Sequence, residues 1–101
     1  MLPGHSALAL ADSAQMESRF YLRLVVADRP GVLELIAKIL ASHQISIASE
    51  LQKERDFQGG AVPLIIVTHE AREAAMQSGR EEMNRLEEVQ EDVQLIRIEA
   101  T

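Results

Sequence analysis

Four consecutive residues, Asp28-Arg29-Pro30-Gly31, hold the best chemical prospects in this sequence, because an apolar helical pattern starts directly behind them. Proline fixes φ and lacks an N–H, which suits the first turn of a helix. The amides of Gly31, Val32 and Leu33 then point outward, unsatisfied, at the positive end of the helix dipole, a natural seat for a carboxylate. Gly31 also lets another group approach the backbone closely. Asp28, a turn earlier, can accept from an ammonium. A carboxylate seat beside an ammonium acceptor suits a free amino acid. The same four residues are equally an ordinary turn sequence, in which Asp28 or Arg29 occupies the cap position and Gly31 only permits tight packing.

Little else in the chain reads as catalysis. His5, His43 and His69 are scattered, none at metal-ligand spacing from another, and His43 suits the C-terminal carbonyls of a helix that ends there. The acidic residues Glu81, Glu82, Glu87, Glu88, Glu91 and Asp92 lack the alternating ligands and central glycine of a calcium loop, and read as a solvated helix face. Ser46 and Ser49 have no glycine-bounded nucleophile turn around them. The absence of cysteine removes disulfides, thiolate zinc sites and cysteine nucleophiles, and suits a reducing cytoplasm. No metal and no cofactor is expected in this domain. A net charge of −6 is the wrong sign for nucleic acid, and Phe20, Tyr21 and Phe57, the three aromatic residues, make no stacking platform for bases. No stretch approaches the roughly 20 apolar residues that span a bilayer, so no membrane partner is expected. The expected partners are a small molecule or protein. At 101 residues the chain has enough core for one domain and too little for two.

The elements that position these residues follow from periodicity. Residues 1–18 show no sustained period and read as a linker or tether from something upstream, with the chain then a piece of a longer protein. From Arg19, a period of two with Phe20, Leu22, Leu24 and Val26 on one face predicts a strand up to Asp28. Val32, Leu35, Ile36, Ile39, Leu40 and His43 recur at three and four residues, which predicts a helix over about 31–43. Ile45, Ile47, Ser49 and Leu51 alternate as a second strand, closed by the charged run 53–56 and a turn at Gly59-Gly60. The apolar run 61–67 predicts a central strand, with Pro63 confined to its start or a bulge. Thr68 suits a cap for a second helix over about 70–88, and residues 93–98 alternate as a last strand.

Strand, helix, strand, strand, helix, strand is the ferredoxin-like βαββαβ order. It is an α+β fold: a four-stranded antiparallel sheet of order 4-1-3-2 with both helices on one face. The second strand then lies at an exposed edge with few blunting devices, and pairing with a second copy is the simplest way to satisfy it.

The residues carry a resemblance as well. Asp28-Arg29-Pro30-Gly31-Val32-Leu33, the apolar helix and Ile45-Ser46-Ile47 look like an ACT domain, a small regulatory module of amino-acid metabolic enzymes. Together with Arg19 to Leu24, Gln52-Lys53-Glu54, Val62-Pro63-Leu64, Thr68 to Ala71 and Ile96 to Glu99, the chain resembles the C-terminal ACT domain of bacterial homoserine dehydrogenase over about residues 19–99. The resemblance implies a non-catalytic fragment of an NAD(P)-dependent enzyme that makes homoserine on the route to threonine and methionine. This piece would carry feedback control, with threonine the first effector to consider, and dimerisation through the second strand and first helix. It also implies a ligand site at Asp28, Gly31, Val32 and Leu33 and at Gln44, Ile45, Ser46 and Ile47. In many relatives an asparagine stands where this chain has Gln44, one methylene longer. Two other readings stay open: a purely structural dimerisation module without a ligand, and a free-standing amino-acid sensor.

Overall fold

The period-two segment after Met16 is a strand in which, from Phe20 to Val26, the even-numbered residues are buried and the odd-numbered ones are not. The computed structural model describes residues 16–52 and 60–98. Within them the order is β1 (Glu17–Ala27), α1 (Val32–Ser42), β2 (Ile47–Gln52), β3 (Ala61–Thr68), β4 (Ala71–Arg72), α2 (Glu73–Asn84) and β5 (Gln94–Ile98). Of the expected linker over 1–18, residues 1–15 lie outside the described residues and Glu17 and Ser18 belong to β1; the charged run 53–56 also lies outside the described residues.

β1 is the centre of the sheet. On one side it pairs antiparallel with β3, from Tyr21↔Val67 to Ala27↔Ala61, and β3 pairs in turn with β2. On its other side it pairs antiparallel with β5 from Arg19↔Ile98 to Arg23↔Gln94. Leaving out β4, the order β2-β3-β1-β5 is the predicted 4-1-3-2. The sheet has one more strand than expected: the two residues of β4 cover Glu17 and Ser18 at the start of β1. β1 thus begins two residues before Arg19, and β2 begins at Ile47, two residues after the predicted Ile45.

One face of the sheet is the core. Phe20, Leu22, Leu24 and Val26 of β1 and Val62, Leu64 and Ile66 of β3 form one buried cluster with Val32, Ile36, Ile39 and Leu40 of α1 and Met76 and Met83 of α2. Tyr21, next to Phe20, points to the opposite face and is only half-buried, so it does not thicken the core. Pro63 is the third residue of β3, beyond the last described β2 partner at Leu64, which agrees with its expected place near the strand's start.

Three predicted helix signals resolve differently. Thr68 does not cap a helix: it is fully buried at the end of β3, and its hydroxyl accepts the Phe20 N–H at 3.1 Å. α2 is shorter than 70–88 because β4 takes its first turn and the segment after Asn84 folds back onto β1. There the Ala27 N–H donates to the Glu88 carbonyl (2.8 Å) and the Gln90 N–H to the Val25 carbonyl (2.7 Å). The His43 ring, at the end of α1, does not turn to that helix's carbonyls; its Nε2 lies 2.8 Å from Glu82 Oε1, tying α1 to α2. Gly79 of α2 faces this ring, and a Cβ there would stand 3.6 Å from it, an ordinary contact.

α1 ends in a Schellman motif. The Ile45 N–H bonds the Leu40 carbonyl at 2.9 Å, the Gln44 N–H bonds the Ala41 carbonyl at 3.0 Å, and Gln44 takes the left-handed φ of 59°. The backbone therefore asks for glycine or asparagine at Gln44, whatever a ligand asks for. Gln44→Gly is expected to raise stability by about 0.5–1 kcal/mol, because removing the left-handed strain outweighs the added chain entropy. A higher urea midpoint at unchanged slope would show it.

Candidate functional site

The predicted site residues fall into two groups. The first surrounds the start of α1. Gly31 is the N-cap at φ 87°, so the glycine is needed for its conformation; Asp28 and Arg29 are not at the cap position. The first intrahelical bond runs from the Leu35 N–H to the Gly31 carbonyl (3.0 Å), which leaves the Val32, Leu33 and Glu34 N–H groups without an intrahelical acceptor. Asp28, Gly31, Val32 and Leu33 line one cavity of about 350 Å³, within the range of small-molecule sites.

This loop is held from two sides. The Asp28 N–H donates to the Gly60 carbonyl at 2.9 Å, and Gly60 itself takes a left-handed φ of 66° as the predicted turn requires. The Arg29 guanidinium reaches Glu87 and Glu88 at 3.5 and 3.7 Å. Both Arg29 and Glu87 are largely exposed, so these pairs orient the loop more than they stabilise it.

The second group, Gln44 to Ile47, lines a different and more open concavity of about 510 Å³ with Ala37 and Ala41 of α1. The Ser46 carbonyl accepts the His69 N–H at 2.9 Å, which fixes this group at the level of the β3 end. Ile47 pairs with Thr68, whereas Asp28 lies past the Ala27↔Ala61 pair, so the two groups are at opposite ends of the sheet. α1, 11 residues and thus about 16 Å long, separates them. Within one chain they do not meet.

Two lining residues of the loop cavity escaped the sequence reading: Leu64 at its floor and Gln52, the last described residue of β2. Gln52 matters because it is the exit of the edge strand. An antiparallel β2 of a second copy would lay its entrance, Ser46 and Ile47, beside this exit. The small Ala37 and Ala41 side chains would let the two α1 helices approach closely along the same seam.

The strand order and the two helices on one sheet face are those of the ACT fold. By sequence the chain is similar to part of homoserine dehydrogenase, and the likeness extends over most of the chain. It is 42% identical over 83 residues to homoserine dehydrogenase of Pseudomonas aeruginosa, covering 82% of this chain and 19% of that protein. The crystal structure of a homoserine dehydrogenase from Thiobacillus denitrificans superposes with a TM-score of 0.76 at 34% identity, over 86% of this chain and 19% of that one. The ACT domain of a GTP pyrophosphokinase from Chlorobium tepidum, at 12% identity, shares the fold with a TM-score of 0.64 over 80% of this chain and all of that one. No family model matches the chain. The chain spans about a fifth of the length of the curated relatives it matches. Among the described residues, no helix is long and apolar enough to cross a membrane and no group of side chains is arranged to hold a metal ion.

Proposed function

We propose that the chain is a regulatory amino-acid-binding domain of an NAD(P)-dependent homoserine dehydrogenase, working as a two-fold pair joined through β2 and α1. The observation that carries this reading is that Gln52 lines the loop cavity. It makes the edge-strand exit part of the site, and an antiparallel partner strand completes the site with its own residues 44–47.

In the complete site, the effector's carboxylate rests on the Val32 and Leu33 amides, and its ammonium lies near Asp28 or the Val26 carbonyl. The partner's Ser46 or Gln44 reaches its side-chain hydroxyl, and threonine meets these requirements. Its place in the cell is the cytoplasm, and its role is feedback control of aspartate-family amino-acid synthesis. Ligand binding at a seam changes the relative stability of two arrangements of the pair, and coupling of about 1–3 kcal/mol is the usual scale.

Titration calorimetry of the folded chain with threonine tests the reading. Saturable heat with one site per chain is expected. A folded dimer that takes up no threonine at millimolar concentration would leave a dimerisation module only.

A further inference from the structure

Among the described residues that line the loop cavity, Arg29 carries the only positive charge. Its guanidinium is loosely held where it stands. The contacts to Glu87 and Glu88, at 3.5 and 3.7 Å, are both made by Nη2, and both are longer than the about 2.7–2.9 Å of a charge-assisted hydrogen bond. The side chain is 51% exposed, so water competes with both partners. A carboxylate that offers two oxygens to the guanidinium fork is a stronger partner than either glutamate in this arrangement.

We propose that Arg29 is a specificity-determining residue of this site, which gives up Glu87 and Glu88 to take the carboxylate of the ligand. The inference rests on the amino-acid reading of the loop cavity and adds a chemical requirement to it. The ligand must carry a free carboxylate, and the carboxamide of the same amino acid is rejected.

Charge makes the exchange necessary. The chain has a net charge of −6, Asp28 lines the cavity, and Glu87 and Glu88 both lie within 4 Å of the Arg29 side chain that lines it too. Like charges this close are not screened by salt, whose Debye length is about 8–10 Å. A ligand carboxylate placed on the Val32 and Leu33 amides, with Arg29 still turned to the glutamates, faces three carboxylates. Arg29 supplies the missing countercharge by turning.

The backbone permits the turn. The ion pairs add orientation to a loop that is already bonded: the Ala27, Asp28 and Arg29 N–H groups donate to the Glu88, Gly60 and Ala27 carbonyls at 2.8, 2.9 and 3.0 Å. These bonds do not involve the side chain, so the loop keeps its course when the guanidinium leaves. A Cβ at Gly31 would meet no atom within 4 Å, so no described side chain bars the way over Gly31 to the free amides.

Titration calorimetry with threonine and with threonine amide tests the exchange on the full chain. Wild type is expected to prefer threonine. Arg29→Gln is expected to weaken threonine about tenfold and to leave threonine amide nearly unchanged. Arg29→Lys, which keeps the charge and loses the fork, should fall between the two. The double variant Glu87→Gln with Glu88→Gln is expected to tighten threonine about threefold, since the exposed pairs no longer compete for the guanidinium. A purely structural role for these pairs makes the opposite prediction, because removing the glutamates would then loosen the loop and weaken threonine as Arg29→Gln does. Equal melting temperatures show that each variant is folded. An unchanged threonine affinity in Arg29→Gln, or a weaker one in the glutamate variant, would overturn the proposal and leave the loop cavity as the threonine site. A wild type that takes up no threonine would instead remove the site and this inference with it, so the two failures are distinguishable.

Discussion

Mixing two dead variants is expected to restore about one quarter of the wild-type threonine sites. The first variant, Gly31→Val, alters the loop half: a β-branched residue at φ 87° is strained by about 1–2 kcal/mol, which a typical domain tolerates, and the added side chain crowds the approach to the Val32 and Leu33 amides. The second, Ser46→Tyr, fills the entrance half from an exposed position whose backbone carbonyl still holds His69. Each variant alone has both sites damaged and should give no heat. After joint unfolding and refolding, about half of the pairs contain one chain of each kind. By two-fold symmetry, such a pair has one site with both lesions and one with neither. Calorimetry should therefore recover about a quarter of the wild-type stoichiometry with wild-type affinity, provided that each variant still sediments as a pair. A silent mixture would mean that residues 28–33 and 44–47 do not serve one site across the seam.

The two groups of site residues also show what the sequence revealed and what it hid. The loop half was legible because its chemistry is local: Pro30 and Gly31 specify how α1 begins, and the free amides follow from helix geometry. The strand order was legible because β1 and β3 alternate cleanly and Leu24 to Leu35 changes period from two to three and four. That one chain holds the two groups at opposite ends of α1 was hidden, since one-dimensional spacing does not show it. Gln52 was hidden for the same reason: its neighbour in space, Leu64, is reached only through the β2–β3 register. β4 has two residues and no periodicity to read, although the opposite charges of Glu17 and Arg72, which face each other in register, were a signal. Thr68 was misread as a cap because a hydroxyl before a helical run looks the same whether it bonds forward to the helix or sideways to a strand amide. At Gln44 the family's asparagine suggested a ligand contact. The left-handed backbone gives a sufficient reason for that preference without one.

The neighbouring aromatic residues Phe20 and Tyr21 should differ sharply in what their removal costs. Phe20→Ala is expected to cost about 3–5 kcal/mol. Its side chain is 1% exposed, and it is the one aromatic residue of the described core, so no similar ring is left to fill the space. Met76 and Met83, in the same cluster, are unbranched and can partly close the cavity, which favours the lower end of that range. Even so, the loss is a large share of the roughly 5–15 kcal/mol that holds a domain of this size. The Phe20 amide stays bonded to Thr68, so the measured loss reflects packing rather than an orphaned donor. Tyr21→Ala, one residue along, removes a half-buried ring from the open face and should cost about 1 kcal/mol or less. Urea unfolding of both variants checks the pair. The opposite pattern, with Tyr21→Ala the more destabilising, would mean that the two faces of β1 are assigned the wrong way round.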